Sequence, residues 1–324
     1  MAAAASSGKP AGRSKPGAAA AAPEVPLQAP VQFTLGKPEV PLPEHYLPFC
    51  LPLGPPSAKG NCFSELDGSG FQLRGKSYME DGVKTDASAG VMRLRHVEFF
   101  RHTTPLDNVA ERKGSFLQLA RAAGDDRKYL VIVYQTPGKT KIHLVLYFAF
   151  TEEAMTKTAP PHLQTIWERF TDAGAEDFRK QRWKVIPRIA EGAWLVSSTV
   201  GTKPALLGTK LDHTWHFGDG FIEVDCNVMS SSVATMIVGV IEGAAKSVVI
   251  DLAFTIEGRE EEELPEAILG AVRLSRMHLG RMGHLKEGMY GAWMDGVDPF
   301  DETQGPRRKG DGSSEAAVKE GWLW

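Results

Sequence analysis

The chain has 324 residues, 42% of them hydrophobic and 24% charged, with a formal net charge of −3. This is ordinary globular usage that allows a core of normal size, and it lacks the blanket basicity of phosphate-backbone binders, so no nucleic-acid partner is expected. Three cysteines, Cys50, Cys62 and Cys226, are too few and too scattered for a disulfide framework or a CxxC zinc site, which fits a reducing, cytoplasmic setting.

Met1 to Ala22 carries Lys9, Arg13 and Lys15, no acid, and much Ala, Gly, Pro and Ser. It lacks the Arg-rich amphipathic pattern of a transit peptide, so disorder is expected. Proline density through PLPEHYLPFCLPLGPPSAKG predicts extended chain lying across the body, with the folded part starting near Gly60. The expected division is an N-terminal segment 1–59, a folded domain 60–288 and a flexible tail 289–324. No apolar run is long enough to span a membrane.

Strand patterns dominate the domain. FQLRG and VMRLRHVEFF read as edge or half-exposed strands. KYLVIVYQTPGKTKIHLVLYFAF is apolar on both sides of a turn and predicts a central hairpin covered on both faces. In HLQTIWERFTDAGAEDFRK, Leu163, Ile166, Trp167 and Phe170 fall on one helical face. Along RWKVIPRI, Arg182, Lys184 and Arg188 share one parity while Trp183, Val185 and Ile189 share the other. WLVSSTV reads as a further strand and GTKPALLG as a structured loop. In GFIEVDCNV, Glu223 and Asp225 alternate with core residues. SSSVATMIVGVIEGAA predicts a short buried helix with a serine cap, VVIDLAFTIEG a strand, and LPEAILGAVRLSRM a helix opened by Pro265. Consecutive strands without regular crossover helices predict an α+β fold: a curved, largely antiparallel sheet with inserted and C-terminal helices.

Several ordered stretches together resemble the plant Enhanced Disease Resistance type C-terminal domain family. They are FQLRGKSYMEDGVKTDA, RWKVIPRIAEGAWLVSSTVGTKPALLG, FIEVDCNVMSSSVA, and IDLAFTIEG followed by ELPEAILGAVR. The resemblance implies a domain of unknown function with no assigned catalytic residues. In larger relatives it follows lipid-binding modules of the pleckstrin-homology and START types, which these residues do not carry.

The residues themselves offer little chemistry. DHTWHF places His213 and His216 beside Asp212, with Glu223 or Asp225 as possible further ligands, but the spacing is weak, and no metal or cofactor is expected. Ser230, Ser231 and Ser232 lack a nucleophile elbow and read as a helix cap. No enzyme is expected. The positive feature is a set of cations, Arg179, Lys180, Arg182, Lys184, Arg188, Lys203 and Lys210, with Trp183 and Trp194 as interfacial anchors. Together they suggest contact with an anionic phospholipid at a membrane surface, or a lipid tail held between the sheet and its helices. The opposing reading has Glu223 and Asp225 on a neighbouring strand neutralising the cations. A separate reading is a protein interaction scaffold whose tail docks through Trp322, Leu323 and Trp324.

Overall fold

A computed structural model describes residues 40–112, 114–138 and 141–285. In chain order the elements are β1 Cys62–Leu66, β2 Gln72–Arg74, α1 Tyr78–Asp81, β3 Lys84–Asp86, β4 Arg93–His102, α2 Phe116–Ala122, β5 Lys128–Gln135 and β6 Lys141–Phe150. Then come α3 Pro161–Thr171, α4 Glu176–Arg182, β7 Trp183–Glu191, α5 Trp194–Val200, β8 Ala205–Leu206, α6 Leu207–Lys210, β9 Asp212–Gly218 and β10 Phe221–Asn227. The last are α7 Ser232–Ala244, β11 Val249–Ile256, β12 Ile268–Ser275 and β13 Gly283–His284.

The fold is α+β, with strands in two principal sheets. One has the order β1-β12-β11-β7-β8 and the other β13-β4-β6-β5-β10-β9, while β2 and β3 form a hairpin of their own. Pairing is antiparallel except where β10 runs parallel to β5 and β13 parallel to β4. The chain alternates between the sheets: β1 joins the first, β4 to β6 the second, β7 and β8 the first, β9 and β10 the second, β11 and β12 the first.

The two sheets share one apolar interior. Ile132, Leu146 and Val224 come from the six-stranded sheet, Phe254, Ile256 and Leu269 from the five-stranded one, and Leu163, Ile166 and Phe170 from α3. Gly270 is needed here, because a Cβ at that position would lie 2.6 Å from the Phe148 ring. The outer face of the six-stranded sheet is covered by Tyr46, Phe49, Phe116 and Leu117, and that of the five-stranded sheet by Phe71 and Leu73.

The hairpin β5–β6 is central and buried on both faces, as its apolar run predicts. Five other segments differ from the sequence expectation. Residues 44–53 do lie across the body, but Tyr46, Phe49 and Leu51 are buried, so packing begins well before Gly60. They also cover β4, which is consequently buried at most positions. The expected long helix breaks at 172–175 into α3 and α4, and Arg182 ends α4, so the strand begins at Trp183. WLVSSTV is the helix α5, and LPEAILGAVRLSRM supplies the strand β12, whose Ile268, Leu269, Ala271 and Val272 are all buried between two partner strands.

Candidate functional site

Alternation along β7 correctly separates Trp183 and Val185, which enter the shared interior, from Lys184 and Arg188. The cation-bearing face, however, is covered. Lys184 Nζ donates to Glu266 Oε1 at 2.5 Å and lies 3.6 Å from Glu257. Arg182 pairs with Glu263 at 2.5 Å and donates to the Glu257 carbonyl. Arg188 and Arg273 both grip Asp251, which is fully buried, and Arg188 also lies over the Phe71 ring. Arg74 completes the network through Glu257 and Glu266. Burial lowers the Lys184 pKa from the usual lysine range, and the Glu266 carboxylate opposes that shift.

Arg179 is buried too, donating to the Phe170 and Ala173 carbonyls beneath the Trp215 and Phe217 rings. Four of the seven expected lipid-facing cations are therefore engaged by the protein's own groups, Arg179, Arg182 and Lys184 buried and Arg188 30% exposed. Lys180, Lys203 and Lys210 remain exposed and make no ion pair among the described residues. Trp183 is buried, stacked on Phe254, whereas Trp194 is 80% exposed. Trp322, Leu323 and Trp324 lie outside the described residues.

Glu223 and Asp225 do not neutralise this network, because they stand on the other sheet. Glu223 accepts from the Val109 and Ala110 amides at 2.7 Å each, and Asp225 accepts from the Asn108 amide and contacts His216 Nε2 at 2.8 Å. Burial and the neighbouring Asp225 push the Glu223 carboxyl well above its ordinary range, while the bond to Asp225 raises His216. This cluster pins loop 106–111 to β10. His213 and His216 project from opposite faces of β9, His213 towards the Leu211 carbonyl, so they cannot share a metal. Among the described residues no three His, Cys, Asp or Glu side chains converge as a metal site.

A different feature stands out inside the molecule. Between the sheets, towards the β8 edge, lies a cavity of about 600 Å³. Phe99, Tyr134, Ile142 and Leu144 form one wall, and Val185, Ile250, Leu252 and Leu274 the other. Helix α7 covers it with Ala234, Ile237, Val238 and Ile241, while Val200 of α5 and Leu207 of α6 close the side. Polar side chains are few: Thr136, Ser231, Glu242, Lys203 and Lys210. Glu242 Oε1 is buried without a hydrogen-bond partner, and burial raises its pKa.

Helix α7 forms where the serine run predicts, with Ser231 Oγ accepting from the Ala234 amide. It is not buried, however. None of its 13 residues is fully covered, because one side faces a void and the other faces solvent. Apolar residues all round a helix predict burial on every side, and a helix of that kind left uncovered by the fold was the available signal for a space beside it.

Comparison with known proteins bears on the same region. Residues 63–278 match the family described as Protein ENHANCED DISEASE RESISTANCE 2, C-terminal. The chain belongs to that family. It is also 36% identical over 219 residues to Protein ENHANCED DISEASE RESISTANCE 2-like of Arabidopsis thaliana, covering 68% of this chain and 29% of the relative. The chain thus spans less than a third of the length of that curated relative. No solved structure matches.

The Enhanced Disease Resistance 2 C-terminal region includes nearly all of β1 and runs through β12, so both cavity walls lie within it. Its sequence stretches also acquire a physical explanation. FQLRG supplies Phe71 and Arg74, RWKVIPR supplies Arg182, Lys184 and Arg188, IDLAFTIEG supplies Asp251 and Glu257, and ELPE supplies Glu263 and Glu266. All meet on the outer face of the five-stranded sheet, in the ion network that locks the hairpin β2–β3 onto it.

Proposed function

We propose that this chain is a non-catalytic lipid-binding regulatory module that holds the apolar tail of a lipid between its two sheets. The cavity of about 600 Å³ carries this reading. Its size falls in the range of about 300–1,000 Å³ typical of small-molecule sites, and its walls are apolar side chains with a few polar groups. In a close-packed interior an opening of this size forfeits dispersion contacts along its lining, a loss that an apolar occupant restores. Lys203 and Lys210, both in the wall and both exposed, offer a charged exit for an anionic headgroup, so a phospholipid or fatty acid suits the site better than a neutral hydrocarbon. The reading does not depend on the cations of β7, which are paired with Glu266 and Asp251.

The test is organic extraction of the purified full chain followed by mass spectrometry, together with displacement of a fluorescent fatty-acid analogue by unlabelled lipid. A stoichiometric lipid, or saturable displaceable binding of the analogue, supports the proposal. Absence of both in the folded protein overturns it.

A further inference from the structure

Helices α5 and α7 touch and together present the most exposed large apolar side chains of the cavity region. Trp194 is 80% and Leu195 62% exposed on α5, and Val233 is 61% and Met236 57% exposed on α7. On α7 the outward residues Ser232, Met236, Gly239 and Gly243 follow helical spacing, while the side behind them lines the cavity. One helix therefore has the cavity at its back, with Val233 at its border, and an uncharged front on which Met236 is the large apolar side chain.

The charges around this face are sorted. Helix α5 carries no ionisable residue, and the single one on α7, Glu242, lines the cavity. Glu191, just before α5, is held by Arg276. Lys203 follows α5 directly, Lys210 closes α6, and both line the cavity that α7 covers, so two unpaired cations lie beside this face, while Lys180 stands on α4 with the exposed Glu176 and Asp177. Exposed acids in this neighbourhood are Asp212, beside Lys210, and Glu191, 57% exposed and paired with Arg276. An apolar patch with a cationic border complements the interface of an anionic bilayer, where indole and aliphatic groups enter the acyl boundary and lysines meet the headgroups.

We infer that the α5–α7 face docks on anionic membranes, and that α7, standing between bilayer and cavity, is the side by which lipid enters and leaves. The second clause rests on the lipid-tail reading; the first stands without it. Trp194 is the interfacial anchor, with Leu195 and Met236 beside it. None of these three lines the cavity.

The experiment is flotation of the full chain with vesicles of phosphatidylcholine alone and of phosphatidylcholine with phosphatidylserine, alongside Trp194 emission and the oligomeric state by sedimentation. Wild type should float with the anionic vesicles, more weakly as salt rises, and its emission should shift to the blue, a shift missing in Trp194→Phe. The triple variant Trp194→Ser/Leu195→Ser/Met236→Ser should lose at least about tenfold in vesicle affinity while keeping its melting temperature and any co-purified lipid. Cavity-filling Ala234→Phe should do the reverse, losing lipid and still floating, which separates failure of docking from failure of the cavity reading. Failure of wild type to float overturns the inference, as does unchanged affinity in the triple variant. So does a dimer in which Trp194 is already shielded without vesicles, since the face would then join copies of this chain.

Discussion

Lys184 Nζ lies 2.5 Å from Glu266 Oε1, with the two side chains 4% and 1% exposed. A contact so enclosed is costly to break from one side. Lys184→Ala leaves Glu266 with the partly exposed Arg74, and Glu257 with Arg74 and the partly exposed Arg259, and the expected loss is about 3–5 kcal/mol. Urea unfolding followed by circular dichroism measures it, and Lys184→Met/Glu266→Leu should recover part of the loss. Charge reversal at Arg182 and Lys184 is accordingly a folding lesion, and loss of vesicle binding in that variant would report unfolding.

Ala234 faces the cavity from α7. Enlarging a residue in a well-packed core usually costs about 1–3 kcal/mol, but here the added ring enters empty volume. Ala234→Phe should leave thermal stability unchanged or higher while abolishing uptake of the fatty-acid analogue. A clear fall in melting temperature would mean that the wall has no room there.

Gly239 and Gly243 lie within α7, and a Cβ at either would meet nothing within 4 Å. Glycine in a helix interior is disfavoured by roughly 0.5–1 kcal/mol relative to alanine. Each Gly→Ala change should therefore stabilise α7, visible as slower amide exchange across the helix, and the double variant should load and release lipid more slowly. Exchange at unchanged rates would show that α7 does not open locally.

Glu223 holds its proton above the ordinary carboxylate range. A folded-state pKa raised above the unfolded value gives stability that is complete below about pH 4.5 and is lost as pH rises through the folded value. His216, also raised, works in the same direction, with stability present below its unfolded pKa and lost above the folded one. Thermal melts at increasing pH should show Glu223→Gln declining less steeply than wild type. The variant should melt lower in acid, because its amide nitrogen faces the Val109 or Ala110 amide where a carboxyl oxygen accepted. Parallel slopes would assign the pH dependence to other groups.

The sequence made some elements legible for reasons that differ residue by residue. Hairpin β5–β6 has apolar side chains at both parities, and only a strand covered on both faces uses such a run. Trp183 and Val185 were placed inward correctly because alternation is a local property. The partners of Lys184 and Arg188 were not legible, since Glu266 and Asp251 are distant in sequence and reach them only through the pairing of β7 with β11. Pro265 followed by Ile268, Leu269 and Val272 mimics a helix start, yet burial between β1 and β11 selects the strand. In α5 the β-branched Val196, Thr199 and Val200 suggested a strand, while three- and four-residue spacing turns Val196 and Val200 inward and leaves Trp194 and Leu195 outside. A cavity is invisible in a linear pattern, because lining residues look like core until the space between them is measured.

The alternation of the chain between the sheets constrains how the molecule comes together. Strand β10 needs β5 as its parallel neighbour, yet β7 of the opposite sheet is made in between, and β7 must wait for β11. Pairings of such long sequence separation are entropically expensive and form late. No single cut in the chain separates the two sheets, and the hollow has its second wall only once β11 and β12 have joined β7. The chain is thus expected to assemble as one cooperative unit, in which a lipid finds its place only after the last strands close and then steadies every strand at once.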